Sequence, residues 1–117
     1  MQGNKKNIIV EMSFQFALGI IQFCEELEAN KKFIISRQLL RSGTSIGANI
    51  REAQNAESKA DFIHKMKISA KEVDETIYWL ELCKFSKSYP TNEELILHVN
   101  NIQMVLSKII GTAKRNK

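Results

Sequence analysis

Arg37, Arg41 and Arg51 are the residues of this sequence best suited to a specific chemical task. On a helix, at about 100° per residue, they fall on one side together with Asn55, and Thr44 and Ala48 continue the line. A guanidinium is always charged and presents a planar fork of donors that fits a carboxylate or a phosphate bidentately. A line of such forks is an anion-binding surface, or in an oligomer a set of partners for Glu72, Asp74 or Glu75 of a neighbouring copy. Left unoccupied and unmatched, it is a solvated charged face.

Other residue types give little support for catalysis. His64 and His98 are the only histidines, and neither has a second His, Cys or carboxylate at the spacing of a metal site. Both read as surface or rim residues. Ser42 and Ser45 have no elbow motif and no nearby base, so neither reads as a nucleophile. Gly43-Thr44-Ser45-Ile46-Gly47 superficially suggests a phosphate loop, but it lacks the Gly-Lys-Ser/Thr ending and falls in the middle of a helical pattern. Glu72 and Glu75 share a helical face. Without a di-metal partner motif they read as salt-bridge partners. No enzyme activity, no metal and no cofactor is expected.

The elements that must position these residues follow from composition and periodicity. The 117 residues are enough for one domain, spanning 1–117. Hydrophobic residues make up 44% and charged residues 26%, with one proline and five glycines. So little turn material implies few, long elements. Cys24 and Cys83 lie within apolar helical patterns without metal spacing and read as two buried thiols in a reducing compartment. The start, MQGNKKNIIV, has neither a long apolar run nor an A-x-A-like site, and no 18 consecutive residues are apolar. A soluble cytoplasmic protein is therefore expected. Net charge is +4, which permits anionic partners without requiring them.

Apolar residues recur in steps of three and four at Ile9, Met12, Phe16, Ile20, Cys24 and Leu27, which predicts a helix over 8–28. Asn30 is the expected left-handed residue ending it. A second helix is predicted over 33–55 with an inward stripe of Ile35, Leu39, Ser42, Ile46, Asn49 and Ala53. The third runs from a Ser58–Asp61 capping box to Phe85, with Phe62, Met66, Ala70, Val73, Ile77 and Leu80 inward. Ser86 to Pro90 is the clearest turn. Thr91 with Glu94 reads as the box opening the fourth helix, whose stripe is Leu95, Val99, Ile102, Leu106, Ile109 and Ala113. The tail, Lys114 to Lys117, is expected to fray. No segment alternates with period two for long. Short connections force antiparallel neighbours, so the expected fold is all-α, an antiparallel up-down-up-down four-helix bundle.

The second helix carries small residues where a core normally has Leu or Ile. Gly43 and Gly47 lie four apart on one face, beside Ser42, Ile46, Asn49 and Ala53, as a helix-packing surface. Each glycine costs about 1 kcal/mol against alanine inside a helix. Close approach of another backbone would offset that cost. The third helix is charge-polarised: Lys59, Lys65, Lys67 and Lys71 stand in its first half, and Glu72, Asp74, Glu75 and Glu81 in its second. Tyr78 and Trp79 beside the acidic half are core-edge residues or interface anchors.

Residues 38–53, QLLRSGTSIGANIREA, resemble the signature of a bacterial four-helix-bundle family whose founding members are encoded within intervening sequences of 23S ribosomal RNA genes. Residues 58–62, SKADF, and 72–80, EVDETIYWL, fit it too. The resemblance covers about 8–113, although Gly47 stands where many relatives carry proline. It implies a four-helix bundle that often assembles as a homopentamer, and it implies no established activity. A related protein, the accessory variability protein of diversity-generating retroelements, binds nucleic acid and a reverse transcriptase.

Two classes of function stay open at this point. One is a homo-oligomer that binds RNA or DNA through a basic surface, with Arg37, Arg41 and Arg51 as phosphate contacts. The other is a protein-interaction scaffold whose positive charge is incidental. Without an aromatic-interleaved basic motif, any nucleic-acid binding would be to phosphate and strongly salt-dependent.

Overall fold

The computed structural model describes residues 7–116. Residues 1–6, on which the expectation of no leader partly rests, and Lys117 lie outside it. Four helices follow in order: α1 (Ile8–Ala29), α2 (Phe33–Ala53), α3 (Lys59–Phe85) and α4 (Glu93–Arg115), with no strand among the described residues. α1 packs on α2 and α4, and α3 packs on α2 and α4, with the two diagonal pairs set further apart across the core. The result is the expected four-helix bundle, about 49 Å long.

The caps show why each helix starts and stops where it does. Asn7 accepts the Val10 N–H at the head of α1, and Ser58 Oγ accepts the Asp61 N–H at the head of α3. Asp61 returns its bond to the Glu57 N–H, one residue before the cap. At α4 the cap is Asn92, not the expected Thr91: its Oδ1 accepts from Leu95 N at 2.9 Å. Asn is at least as good a cap as Thr, and choosing it shortens the helix by one residue. Asn30 is not the left-handed residue after α1. Its side chain donates to the Glu26 carbonyl, and Lys31 takes the positive φ of 63° instead. The N–H groups of Lys31 and Lys32 then close on Glu28 and Leu27 in the paired bonds of a Schellman turn.

α2 ends at Ala53, two residues early, as Gln54, Asn55 and Ala56 each bond back to the carbonyl three residues before. The tail does not fray where expected: α4 continues through Lys114 and Arg115. Positive side chains there complement the negative end of the helix dipole.

One core runs through all four helices, with Phe16, Phe23, Ile20, Leu39, Ile46, Met66, Leu80 and Leu106 among its fully enclosed side chains. The predicted stripes hold in outline and shift in detail. On α2, Ser36 and Ile50 are buried, whereas Ile35 and Asn49 are only half-buried. On α3, Ser69 and Thr76 are buried and Ala70 and Ile77 are not. In each case the enclosed face serves two neighbours, so it is centred between them and reaches polar positions that a search for apolar residues passes over. Those hydroxyls are all bonded. Ser36 Oγ reaches the Cys24 carbonyl of α1, Ser69 Oγ the Ile46 carbonyl of α2, and Thr76 Oγ1 the Ser42 hydroxyl of α2.

α1 is the described helix that is long and apolar enough to cross a membrane, with a mean hydropathy of 1.4 over its most apolar stretch. The sequence has no unbroken apolar run of that length, since Glu11 interrupts it, but averaged hydropathy passes. Packing in the bundle accounts for 33% of that stretch. Ile9, Phe16, Ile20, Phe23, Cys24 and Leu27 are all enclosed by the bundle.

The glycines of α2 answer to α1. A Cβ on Gly43 would sit 2.9 Å from Ile20 Cγ1 and 3.0 Å from Cγ2. The neighbour is a side chain rather than the expected backbone. Gly47 faces Ser13, whose hydroxyl would lie 3.2 Å and whose backbone carbonyl 3.5 Å from a new Cβ. Both glycines thus have a reason within the chain, and their smallness by itself does not argue for contact with a second copy.

Candidate nucleic-acid interface

The three arginines do not form one free line. Arg41 leans towards α3, where its fork meets Glu72 at 3.1 and 3.3 Å and Glu75 at 2.6 Å. The two carboxylates raise its pKa further, Glu75 first and Glu72 second. Glu75 also accepts the Trp79 indole N–H at 3.0 Å. Its pKa is lowered by Arg41 chiefly and by Trp79 next. Trp79 is half-buried against the core and touches the exposed Tyr78 edge-on. Arg51 leans the other way, towards α1, and lies 5.6 Å over the Phe14 ring. Arg37, like Arg51, is exposed with no ion-pair partner among the described residues. Forty degrees of rotation either way on a helix is enough to send neighbours on one face to different flanking helices.

The histidines and cysteines are placed as their patterns suggest. His64 is exposed, and His98 is half-buried with its ring edge-on to Phe16. Cys24 and Cys83 are both free and buried. Burial pushes both thiols up, Cys83 to about 11. No group of three or more metal-ligating side chains converges among the described residues.

The basic character that remains unmatched lies elsewhere. Residues 62–71 of α3 contain Lys65, Lys67 and Lys71 and no acid, and residues 95–117 contain Lys108, Lys114, Arg115 and Lys117 and no acid. The antiparallel packing of α3 on α4 brings residues 62–71 and 95–115 together. Gln103 donates to Asp74, and Lys84 pairs with Glu93, so the register is fixed at two heights. Among the described residues here only Lys65 has a carboxylate partner, Glu52 of α2 at 2.9 Å. Lys67 and Lys114 approach each other instead, and Lys114 holds the Lys67 pKa below the ordinary lysine value. An open depression of about 370 Å³, lined by Phe62, Lys108, Ile109, Thr112 and Ala113, adjoins this end. The lysines of α3 stand out in the sequence, whereas their partners on α4 do not. The shortage of acids in the last helix is the signal that finds them.

A four-helix bundle that is basic at one end is the class that fold and surface define. The model of the 23S rRNA-intervening sequence protein family matches residues 5–110, and the chain belongs to that family. A similar solved structure is that of a protein of unknown function of the S23 ribosomal protein family from Bacteroides thetaiotaomicron. It is 43% identical, with a TM-score of 0.83 over 87% of this chain and 97% of that one. No curated protein matches the chain.

Proposed function

We propose that this chain is a non-enzymatic, homo-oligomeric bundle that binds RNA or DNA through the phosphate backbone, using the α3–α4 end as its contact surface. The observation that carries the reading is the meeting of two acid-free basic segments, 62–71 and 95–116, across one helix seam. Positive charge left without carboxylates is what a polyanion can use, because neutralising phosphates releases their counterions. Arg37 and Arg51 extend the surface as additional contacts. Arg41 is a structural tie. Nothing among these residues supplies base-edge readout, so the binding is indifferent to sequence.

Assembly is supported by apolar side chains on the outside of α1 and α2. Phe14, Leu18, Ile21 and Leu40 are all exposed, and a groove of about 210 Å³ runs between Val10, Phe14, Ala17, Gly47 and Ala48. A pentamer is the assembly that the resemblance implies, and the cytoplasm is the compartment that fits such a ligand.

Affinity for a short RNA and a DNA duplex, measured at several salt concentrations, tests the reading. Light scattering on the same samples should give several times 13.4 kDa. The variant Lys71→Ala/Lys108→Ala/Arg115→Ala should weaken binding to all sequences about equally. For each phosphate that is no longer neutralised, the slope of log affinity against log salt should fall by roughly 0.9 on duplex and 0.7 on single strands. Binding that is absent, or independent of salt, refutes it and leaves a protein-interaction scaffold docked through the α1–α2 groove.

A further inference from the structure

We propose that the depression between the head of α3 and the tail of α4 seats one base of a single-stranded nucleic acid against the ring of Phe62. This rests on reading the α3–α4 end as a nucleic-acid surface and narrows it to one subsite. The hollow comes from the way α4 ends. Its inward stripe runs Ile102, Leu106, Ile109, Ala113. The first two are fully enclosed and the last two only half-buried, and alanine fills little of the space between the helices. Phe62 stands in the first turn of α3, placed there by the Ser58 cap. It is half-buried, packs on the core and lines the hollow together with Lys108, Ile109, Thr112 and Ala113. The volume, about 370 Å³, lies at the low end of the roughly 300–1,000 Å³ of small-ligand clefts.

Two cations belong to the same wall. Lys108 lines the hollow itself, and Arg115 Nη2 donates to the Thr112 hydroxyl at 3.4 Å. None of the ion pairs among the described residues includes Lys108 or Arg115, and residues 95–117 contain no acid. Asp61, the acid beside Phe62 in sequence, accepts the Glu57 N–H at the cap. An aromatic wall with unmatched cations at its rim is complementary to a flat π face carried on a phosphate backbone. A base stacked in the hollow covers apolar surface, while Lys108 and Arg115 take the phosphates on either side of it. A duplex gains nothing from the ring, because its bases are already paired and stacked on one another, whereas a single strand can splay one out. The lining offers one hydroxyl and one ammonium, too little to read a base edge, and stacking accepts every base.

The test compares three probes on the intact protein: a short single strand of deoxyadenylate, the same strand with abasic sites throughout, and a DNA duplex of equal length. Phe62→Leu keeps an apolar side chain against the core and removes the ring. It should weaken binding of the single strand roughly tenfold, within the range of one lost base–aromatic stack, and leave duplex affinity unchanged. Phe62→Tyr, which restores a ring, should recover the single strand. A second readout needs no variant. In protein carrying labelled isoleucine and alanine methyl groups, the single strand should shift the NMR signals of Ile109 and Ala113 by its ring current, and the abasic strand should not. If Phe62→Leu folds and binds the single strand like the parent, or if the abasic strand shifts those methyl signals equally, the seat is refuted while salt-dependent binding to phosphate stands. Methyl signals that move with protein concentration and not with the strand refute it in favour of a second copy covering the hollow. A protein that binds none of the three probes at low salt refutes the seat and the broader reading together.

Discussion

Replacing each α2 glycine by alanine should move stability in opposite directions. Helix propensity alone favours alanine by about 1 kcal/mol at either position. The surroundings then decide. A Cβ on Gly43 would meet three carbons of Ile20 at 2.9, 3.0 and 3.2 Å. Ile20 is fully buried and, being β-branched on a helix, is held to essentially one rotamer. It cannot give way without moving α1, and overpacking of this kind costs roughly 1–3 kcal/mol. Gly43→Ala should therefore destabilise by up to about 2 kcal/mol, net of the propensity gain. At Gly47 the closest atom is the Ser13 hydroxyl at 3.2 Å, the rotatable end of a small side chain. Gly47→Ala should be neutral or stabilise by up to about 1 kcal/mol. Urea denaturation followed by circular dichroism, at one protein concentration and with the assembly size checked, gives both values. For a chain of this length, 1 kcal/mol corresponds to roughly 3–6 °C in Tm. If Gly43→Ala proves at least as stable as Gly47→Ala, crowding by Ile20 is not the reason glycine occupies that turn.

Ile46→Asp should abolish cooperative folding, because Ile46 is fully enclosed at the middle of the core and an unpaired buried carboxylate costs several kcal/mol. A thermal melt like that of the parent would overturn the assignment of the α2 face. Cys83, with its thiol pushed up to about 11 by burial and then by Cys24, should be roughly one part in a thousand thiolate at pH 8. Alkylation of both cysteines should proceed only after unfolding, and rapid labelling of the native protein would contradict their burial.

The bundle was legible because every helix has an apolar repeat at helical spacing and because little proline or glycine is available for anything but short connections. What the repeat could not show is where polar residues join it. Ser36, Ser69 and Thr76 are enclosed, yet they carry no hydrophobic signal and hold their places through bonds to residues far away in sequence. The candidate surface was legible in part. The α3 lysines are visible as a run, but whether a positive side chain is free depends on what lies across the helix seam. Arg41 on the outward face of α2 looked available and is held by Glu72 and Glu75, residues 31 and 34 positions later. Lys114 looked like part of a fraying tail and is the neighbour of Lys67. Pairing of charges is a tertiary property, and only the absence of acids from residues 95–117 hints at it beforehand.

The buried hydroxyls have a mechanical consequence. Ser36, Ser69 and Thr76 tie α2 to its two neighbours at three different heights. Sliding one helix past another by a single turn, about 5.4 Å, would part these donors from their acceptors while leaving them enclosed. Thr76 would keep its bond to the Glu72 carbonyl of its own helix, but Ser69 would lose its partner at a cost of roughly 1–3 kcal/mol, enough to disfavour the slip. The bundle thus behaves as a keyed joint with one permitted setting. Whatever binds at its basic end can rearrange lysine side chains there, but it cannot send a message down the molecule by ratcheting helices.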